Sequence, residues 1–425
     1  MEGYKARIAD KLLEKKLKSK GAVLIEGPKW CGKTTTAEQA AASILYMNEP
    51  KKLKQNLILA DTDPESLLEG DSPRLIDEWQ LAPKLWDTIR FSVDKRHSFG
   101  LYILTGSAVP ADTEEIHHTG TGRFSWLKMR PMSLYESGES TGEVSLTELF
   151  KKKGENVKGR SRLSLKDIAF LISRGGWPMA LDAEESVALQ QAIDYYDAVV
   201  NEDVTRVDGV KKDTGYIKRL MRSYARNQGG QVSINTLAED LKTNESPDPC
   251  NKTIDSYIKA LKKIFVIEDM EAWNPNLRSK TAIRSADTRY YVDPSIAVAS
   301  LGLGPSDLLN DLETMGLLFE TMAVRDLRVY SDALDASVYH YRDRSGLECD
   351  TVIHLRNGSY GLIEIKLGGD KLIEEGCTSL KKLANKIDTD KMMEPSFLMV
   401  LTATGDYAYK RSDGIYVVPI GCLKD

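Results

Sequence analysis

Gly27-Pro28-Lys29-Trp30-Cys31-Gly32-Lys33-Thr34 is the stretch on which the reading of this chain turns. It fits the spacing G-x-x-x-x-G-K-[ST], a loop that curls backbone N–H groups round a phosphate. A short apolar run, Ala22 to Ile25, precedes it, and a helical pattern starts near Lys33 and continues through Ala42. Strand, glycine loop and helix are the context this motif requires. Lys33 is placed to reach β- and γ-phosphate oxygens. Thr34 offers a hydroxyl to Mg²⁺, and the helix N-terminus adds the positive end of its dipole. The loop from Gly27 to Thr34, with Thr35 behind it, is therefore expected to hold Mg-ATP.

The same strand-then-helix order recurs around it. Apolar runs at Leu57 to Ala60, Arg74 to Ile76 and Leu101 to Leu104 are expected as further strands. Short, fully apolar strands alternating with helices indicate a parallel sheet covered on both faces. Leu75-Ile76-Asp77-Glu78-Trp79 puts two acids at a strand end. Asp77 there would hold Mg²⁺, and Glu78 would orient or deprotonate the attacking water. Thr105 and Ser107 end the next strand. They either sense the γ-phosphate or serve ordinary turn chemistry. Arg123 is a candidate charge donor to the γ-phosphate of its own or a neighbouring subunit, with Arg90 and Arg130 as competitors.

Length and composition bound the rest. A chain of 425 residues predicts two to four domains. With 41% hydrophobic and 28% charged residues, it has material for packed cores. The net charge of −5 excludes a wholly electrostatic nucleic-acid binder. Local basic stretches remain at Lys11 to Lys20, Lys151 to Lys166 and Lys211 to Arg226. Five scattered cysteines without a C-x-x-C pair fit a reducing cytoplasm and neither a disulfide framework nor a structural zinc. No secretory signal or membrane-length apolar run is visible, so a cytoplasmic protein without membrane contact is expected.

Four segments follow: 1–135, the phosphate-loop domain; 136–228, a Ser/Gly/Glu/Lys-rich linker with surface loops, then a helical lid-like part; 229–300; and 301–425. Within 229–300, helices Ile234 to Leu241 and Lys252 to Ile264 precede expected strands at Phe265 to Ile267 and Tyr290 to Val292. That is the order of a winged helix-turn-helix. Its second helix carries Lys252, Lys259, Lys262 and Lys263 but no arginine fork for guanine, so it points to non-specific DNA contact or none. His117-His118 is a solvated loop pair rather than a metal site, and Trp177, Tyr195 and Tyr196 read as core.

The last segment orders as αβββαβ. Its elements are a helix Leu312 to Leu327, strands Ser337 to Arg342, Glu348 to Leu355 and Gly361 to Lys366, a helix Lys371 to Ile387, and a strand Phe397 to Thr402. An acid followed by E-x-K on the adjacent strand is the pattern of PD-(D/E)xK nucleases. By strand alternation Asp350, Glu364 and Lys366 share a face, where Asp350 and Glu364 would hold Mg²⁺ and Lys366 would assist the attack. Glu320, on the preceding helix, is a further candidate metal ligand. E-x-K at a strand end also arises on plain solvated strands.

The P-loop, Leu75 to Gln80, Leu104 to Ala108, Gly122-Arg123 and Arg130 to Glu136 together resemble a bacterial and archaeal AAA+ ATPase family. That family carries a C-terminal domain of unknown function (AAA_14 with DUF4143). The likeness continues through Gly175 to Pro178, Asp203 to Asp208, Tyr291 to Pro294, Gly316 to Glu320 and Glu364 to Lys366. It implies ATP binding and slow hydrolysis but no substrate. The fold class expected is α/β multidomain: an N-terminal AAA+ ATPase, a helical and winged-helix middle, and a restriction-endonuclease-like C-terminal domain. Two functions remain open. One is an ATPase controlling a DNA-associated, nuclease-like module. The other is a non-cleaving, nucleotide-dependent switch or scaffold that binds DNA or a protein partner, including further copies of itself. A small-molecule kinase fits less well, because no basic substrate lid follows the P-loop.

Overall fold

The computed structural model describes residues 3–106, 119–151, 157–206, 212–242, 251–275 and 286–425. The chain forms two compact units. The first comprises Met1–Pro131, Glu202–Lys211 and Ala260–Phe265. The second comprises Met132–Asn201, Lys212–Lys259 and Val266–Asp425.

The first unit is built on a five-stranded parallel sheet: β1 (Ala22–Glu26), β2 (Ser43–Tyr46), β3 (Arg74–Asp77), β4 (Tyr102–Thr105) and β5 (Phe124–Lys128). Their order is β2-β3-β4-β1-β5. Side-chain alternation splits the apolar residues between two faces. Val23, Ile25, Leu75, Ile103 and Leu127 join Leu13 and Leu17 of helix Ile8–Leu17 and Ala37 of helix Lys33–Ala40. Ala22, Leu24, Ile76, Tyr102 and Leu104 join Trp86, Ile89 and Val93 of helix Leu85–Arg96. The sheet is thus covered on both faces, as its uninterrupted apolar strands require.

The expected strand at Leu57 to Ala60 is instead part of a helix, Leu53–Thr62. A four-residue apolar run has no period of its own, and leucine and alanine favour helix. Ile58 is 61% exposed there. The second strand is Ser43–Tyr46, an edge strand with alternating burial, so the helix after the P-loop stops at Ala40 rather than Ala42. β5 was not legible, because its mixed pattern gives no apolar run.

The second unit contains a seven-stranded sheet and most of the helices. The stretch 136–162, expected as linker and loops, carries β6 (Val144–Ser145) and β7 (Gly159–Arg160). The remaining strands are β8 (Ala336–Arg342), β9 (Glu348–Leu355), β10 (Tyr360–Lys366), β11 (Phe397–Thr402), β12 (Tyr407–Lys410), β13 (Tyr416–Pro419) and β14 (Leu423–Lys424). The large sheet runs β7-β12-β13-β11-β10-β9-β8, and β6 pairs with β14. The supposed linker is ordered because distant C-terminal strands offer it pairing partners. The αβββαβ core appears as read, with helix Leu312–Ala333 ahead of β8 and helix Asp370–Lys386 between β10 and β11.

Helices Thr214–Arg226, Ile234–Asp240 and Asn251–Lys263 form the middle segment, and Ser233 caps the second of them through Thr236 N. The two wing strands expected after them reduce to isolated antiparallel bridges, Ile267 to Tyr291 and Met270 to Thr288. The two sides meet at too few rungs to extend into a ladder. Trp177, Tyr195 and Tyr196 are buried, and the Trp177 and Tyr195 rings lie 4.3 Å apart.

A fully buried ionic hub ties remote segments of this unit together. The Arg325 guanidinium donates to Asp293 Oδ2 at 2.9 Å and to Asp326 Oδ1 at 2.7 Å. Asp293 also accepts from Gly176 N at 3.0 Å, and Asp326 from Leu134 N at 3.0 Å. Arg325→Met leaves two buried carboxylates without their cation and should destabilise the second unit by about 3–5 kcal/mol. Urea unfolding of the full chain measures this, and a loss below about 1 kcal/mol contradicts the hub.

Candidate functional site

The P-loop closes tightly onto the end of β5. A Cβ on Gly27 would stand 2.0 Å from the Met129 carbonyl oxygen, so glycine is obligatory there. Gly32 has φ +96° and caps helix Lys33–Ala40, a conformation that favours glycine. Lys33 Nζ donates to the carbonyls of Gly27 at 2.9 Å and Pro28 at 2.7 Å. These are neutral acceptors that a phosphate outcompetes. Arg7, unremarked in the sequence, braces the loop from behind. Its guanidinium donates to Cys31 O and Arg130 O, both at 2.8 Å. An arginine in a charged N-terminal helix carries no signal of such a role.

β4 lies between β1 and β3, pairing Thr105 with Ile25 on one side and with Asp77 on the other. Asp77 Oδ1 accepts two hydroxyl hydrogen bonds, from Thr34 at 2.7 Å and Thr105 at 2.6 Å. Thr105 therefore engages the acid rather than a turn. Glu78 follows with φ +56°, a left-handed conformation rarely adopted by a non-glycine residue. Its carboxylate accepts from Gln80 Nε2. Ser107, Asp208 and the His117-His118 pair lie outside the described residues.

Lys29 Nζ, on the same loop, donates to Asp203 Oδ1 at 2.5 Å. Asp203 opens the Asp203 to Asp208 stretch that carries part of the family resemblance, yet nothing in its sequence spacing joins it to the loop.

Arg123 is not where a same-subunit phosphate contact requires it. The first β5 residue, Phe124, pairs with Ala22 at the start of β1, whereas the P-loop follows Glu26 at its far end. Five residues of strand separate the two, about 16 Å. Arg123 instead binds Asp94 at 2.7 Å. Arg90 likewise pairs with Asp94, at 3.1 Å. Arg130 stands beyond the Glu26–Lys128 rung, at the P-loop end.

In the second unit β9 and β10 pair antiparallel, Val352 with Leu362 and Thr351 with Ile363. Continuing that register sets Asp350 opposite Glu364 on one face. Lys366 stands between them, its Nζ 2.7 Å from Glu364 Oε2 and 3.3 Å from Asp350 Oδ2. Asp350 Oδ2 also accepts from Ile365 N at 2.7 Å. Glu320, half-buried on helix Leu312–Ala333, accepts from the Tyr290 hydroxyl. In the sequence Tyr290 shows only as part of an apolar run, Tyr290 to Val292.

Two carboxylates thus bracket one ammonium, and Glu320 lies close enough to feel the Asp350 charge. Burial pushes Glu320 and Glu364 up to about 8, and the Asp350 charge adds to it in both. Burial opposes the Lys366 charge, but Asp350 and Glu364 outweigh it and hold the ammonium well above the usual lysine range. The expected metal-ligand set of Asp350, Glu364 and Glu320 does not form. Among the described residues, no group of three His, Cys, Asp or Glu side chains could hold a metal ion. Lys366 bridges Asp350 and Glu364, and Tyr290 engages Glu320.

Comparison with known families follows this division. Residues 19–138 match an AAA domain (AAA_14), 165–307 a domain of unknown function (DUF8612), and 315–423 a second such domain (DUF4143). Residues 19–138 thus carry an AAA domain and residues 315–423 a DUF4143 domain. It is 23% identical to an uncharacterized Haemophilus influenzae protein over 65% of this chain and 66% of that one. It is thus matched to just under two thirds of that relative's length. It is 22% identical to an uncharacterized Mycobacterium tuberculosis protein over 93% of this chain and 79% of that one. Among solved structures, a Walker-type ATPase of Pyrococcus abyssi aligns at 13% identity, covering 69% of this chain and 94% of that one, with a TM-score of 0.41. AMPPCP-bound DnaA from Aquifex aeolicus aligns at 12% identity, over 60% of this chain and 86% of that one, with a TM-score of 0.26. Among the described residues, no helix is long and apolar enough to cross a membrane.

The raised carboxyls carry a signed pH dependence. Glu320 and Glu364 titrate near 4.5 when unfolded and near 8 when folded. The folded chain binds more protons across that window, so their stabilising contribution is complete below 4.5 and is lost as pH rises through 8. Thermal unfolding at pH 5 and at pH 8.5 should show a midpoint lower by roughly 5 °C at the higher pH. Glu364→Gln should flatten the difference, and an unchanged slope in that variant contradicts the assignment.

Proposed function

We propose that this protein binds Mg-ATP at the P-loop and hydrolyses it, and that the AAA domain acts as a nucleotide-driven switch. The observation carrying this is Asp77 Oδ1, which accepts from both Thr34 and Thr105, the first of them the neighbour of Lys33 in the P-loop. Thr34 and Asp77 present two hard oxygens within 2.7 Å of each other, a donor set that suits Mg²⁺. When bound, the ion neutralises phosphate charge. Lys33 exchanges its two carbonyls for phosphate oxygens, and the backbone N–H groups up to Thr35 line the cradle. Glu78, steadied by Gln80, orients the attacking water. Thr105 holds the Asp77 carboxylate in register with it. Arg123, far from its own P-loop, is left to act on the nucleotide of a neighbouring copy.

Lys33→Ala should abolish nucleotide binding. Glu78→Gln should retain binding while slowing turnover about 10²–10⁴-fold. Phosphate release and nucleotide titration, run side by side, read the two effects apart. Full turnover in Glu78→Gln removes that residue from the chemistry.

For the C-terminal unit we favour the non-cleaving reading. The αβββαβ order and the Asp350, Glu364 and Lys366 face support kinship with PD-(D/E)xK nucleases. Lys366 bridges both acids, and no third carboxylate completes a metal-holding group among the described residues, so we derive no cleavage step. Lys252, Lys259 and Lys262 are exposed on one helix, which suits phosphate contact rather than base readout. Plasmid and single-stranded DNA incubated with Mg²⁺, with and without ATP, should remain intact. Cleavage that disappears in Asp350→Ala and Glu364→Ala would restore the nuclease reading.

A further inference from the structure

We propose that Lys29 is the residue that distinguishes ATP from ADP, and that Asp203 is the counter-ion it leaves when the terminal phosphate arrives. The inference rests on the P-loop being an ATP site.

The loop between Gly27 and Gly32 bears one ammonium, Lys29, and Lys33 follows at once. Their partners differ in kind. Lys33 is bound to two neutral carbonyls of the loop itself. Lys29 is bound to a carboxylate, Asp203, at 2.5 Å. The Lys29 side chain is 41% exposed and that of Asp203 only 9%. Asp203 is the buried member of the pair, and Lys29 is the one with solvent-side room to move. An ammonium on a phosphate-binding loop has two competing anions within its range: the carboxylate and the outermost phosphate. ADP lacks that phosphate, so only ATP offers an exchange of one charge-assisted bond for another.

Asp203 lies in a π-helical turn, Val199–Asp203, a rare local winding that recurs at functional sites. It belongs to Glu202–Lys211, a segment that clusters with the P-loop unit although 70 residues of sequence separate it from Pro131. The ion pair is a direct link between that segment and the nucleotide loop. Losing it in the ATP state and regaining it in the ADP state would report the terminal phosphate to residues 202–206.

The test is titration of the full chain with fluorescent ATP and ADP analogues in Mg²⁺. It compares wild type, Lys29→Met, Asp203→Asn, Asp203→Glu, the Lys29→Met/Asp203→Asn double variant and Lys33→Ala. Lys29→Met should weaken ATP binding about tenfold and leave ADP nearly unchanged, collapsing the preference. Asp203→Asn should tighten ATP selectively, because the competitor is gone. Asp203→Glu, which keeps the charge, should restore the wild-type ratio. In the Lys29→Met background, Asp203→Asn should add nothing. Equal effects on ATP and ADP, or an Asp203→Asn effect that persists without Lys29, overturn the inference. If Asp203→Asn fails to fold, the Lys29→Met ratio still decides. Wild-type nucleotide binding in Lys33→Ala would instead remove the ATP site itself. Binding lost in Lys33→Ala but an unchanged ratio in Lys29→Met would remove only the role given to Lys29.

Discussion

The Asp77 carboxylate holds the first unit's site together. One of its oxygens receives hydroxyls from two different elements, Thr34 at the head of a helix and Thr105 at the end of β4. That convergence needs β4 between β1 and β3, a parallel order that the chain reaches by jumping from β1 to the edge strand β2 and returning strand by strand. It also needs both sheet faces sealed, because short parallel strands have no solvent-facing side to stabilise them. Loop, acid and hydroxyl are thus consequences of one sheet order. The brace from Arg7 and the glycine contact at Met129 then set the loop against that frame.

The second unit depends on buried charge in a different way. Arg325 sits among Asp293 and Asp326 with all three side chains essentially out of solvent. Such a hub adds little net stability compared with apolar packing, yet it penalises every arrangement that leaves one partner alone. It gathers Gly176, Leu134 and Ser295 around fixed acceptors. A few ångströms of strand register elsewhere in the unit bring Asp350, Glu364 and Lys366 onto one face. There the balance differs: Asp350 and Glu364 share one ammonium with Glu320 nearby, and burial makes Glu320 and Glu364 retain protons. The same residue types give a closed structural hub in one place and an unbalanced, titratable cluster in the other.

Local chemistry determined much of this from the sequence alone. The P-loop needs its glycines and Lys33 at set spacing, the apolar strands β1, β3 and β4 need burial on two faces, and period-two alternation puts Asp350, Glu364 and Lys366 on one side of a hairpin. Each of these follows from backbone geometry within a few residues. Tertiary structure alone decided the rest. Leu57 to Ala60 became a helix because a short apolar run fits either element until its neighbours choose. The stretch 136–162 became β6 and β7 because strands beyond residue 400 offered it partners. Arg123 went to the far end of the sheet because parallel pairing aligns strand starts with strand starts. Lys366 bridges Asp350 and Glu364 because two acids and an amine meet only after β9 and β10 pair. Asp203 met Lys29 across 174 positions, a contact no spacing could encode. Charge pairing acts through space and leaves no period in the chain, whereas hydrogen-bonded backbone geometry does.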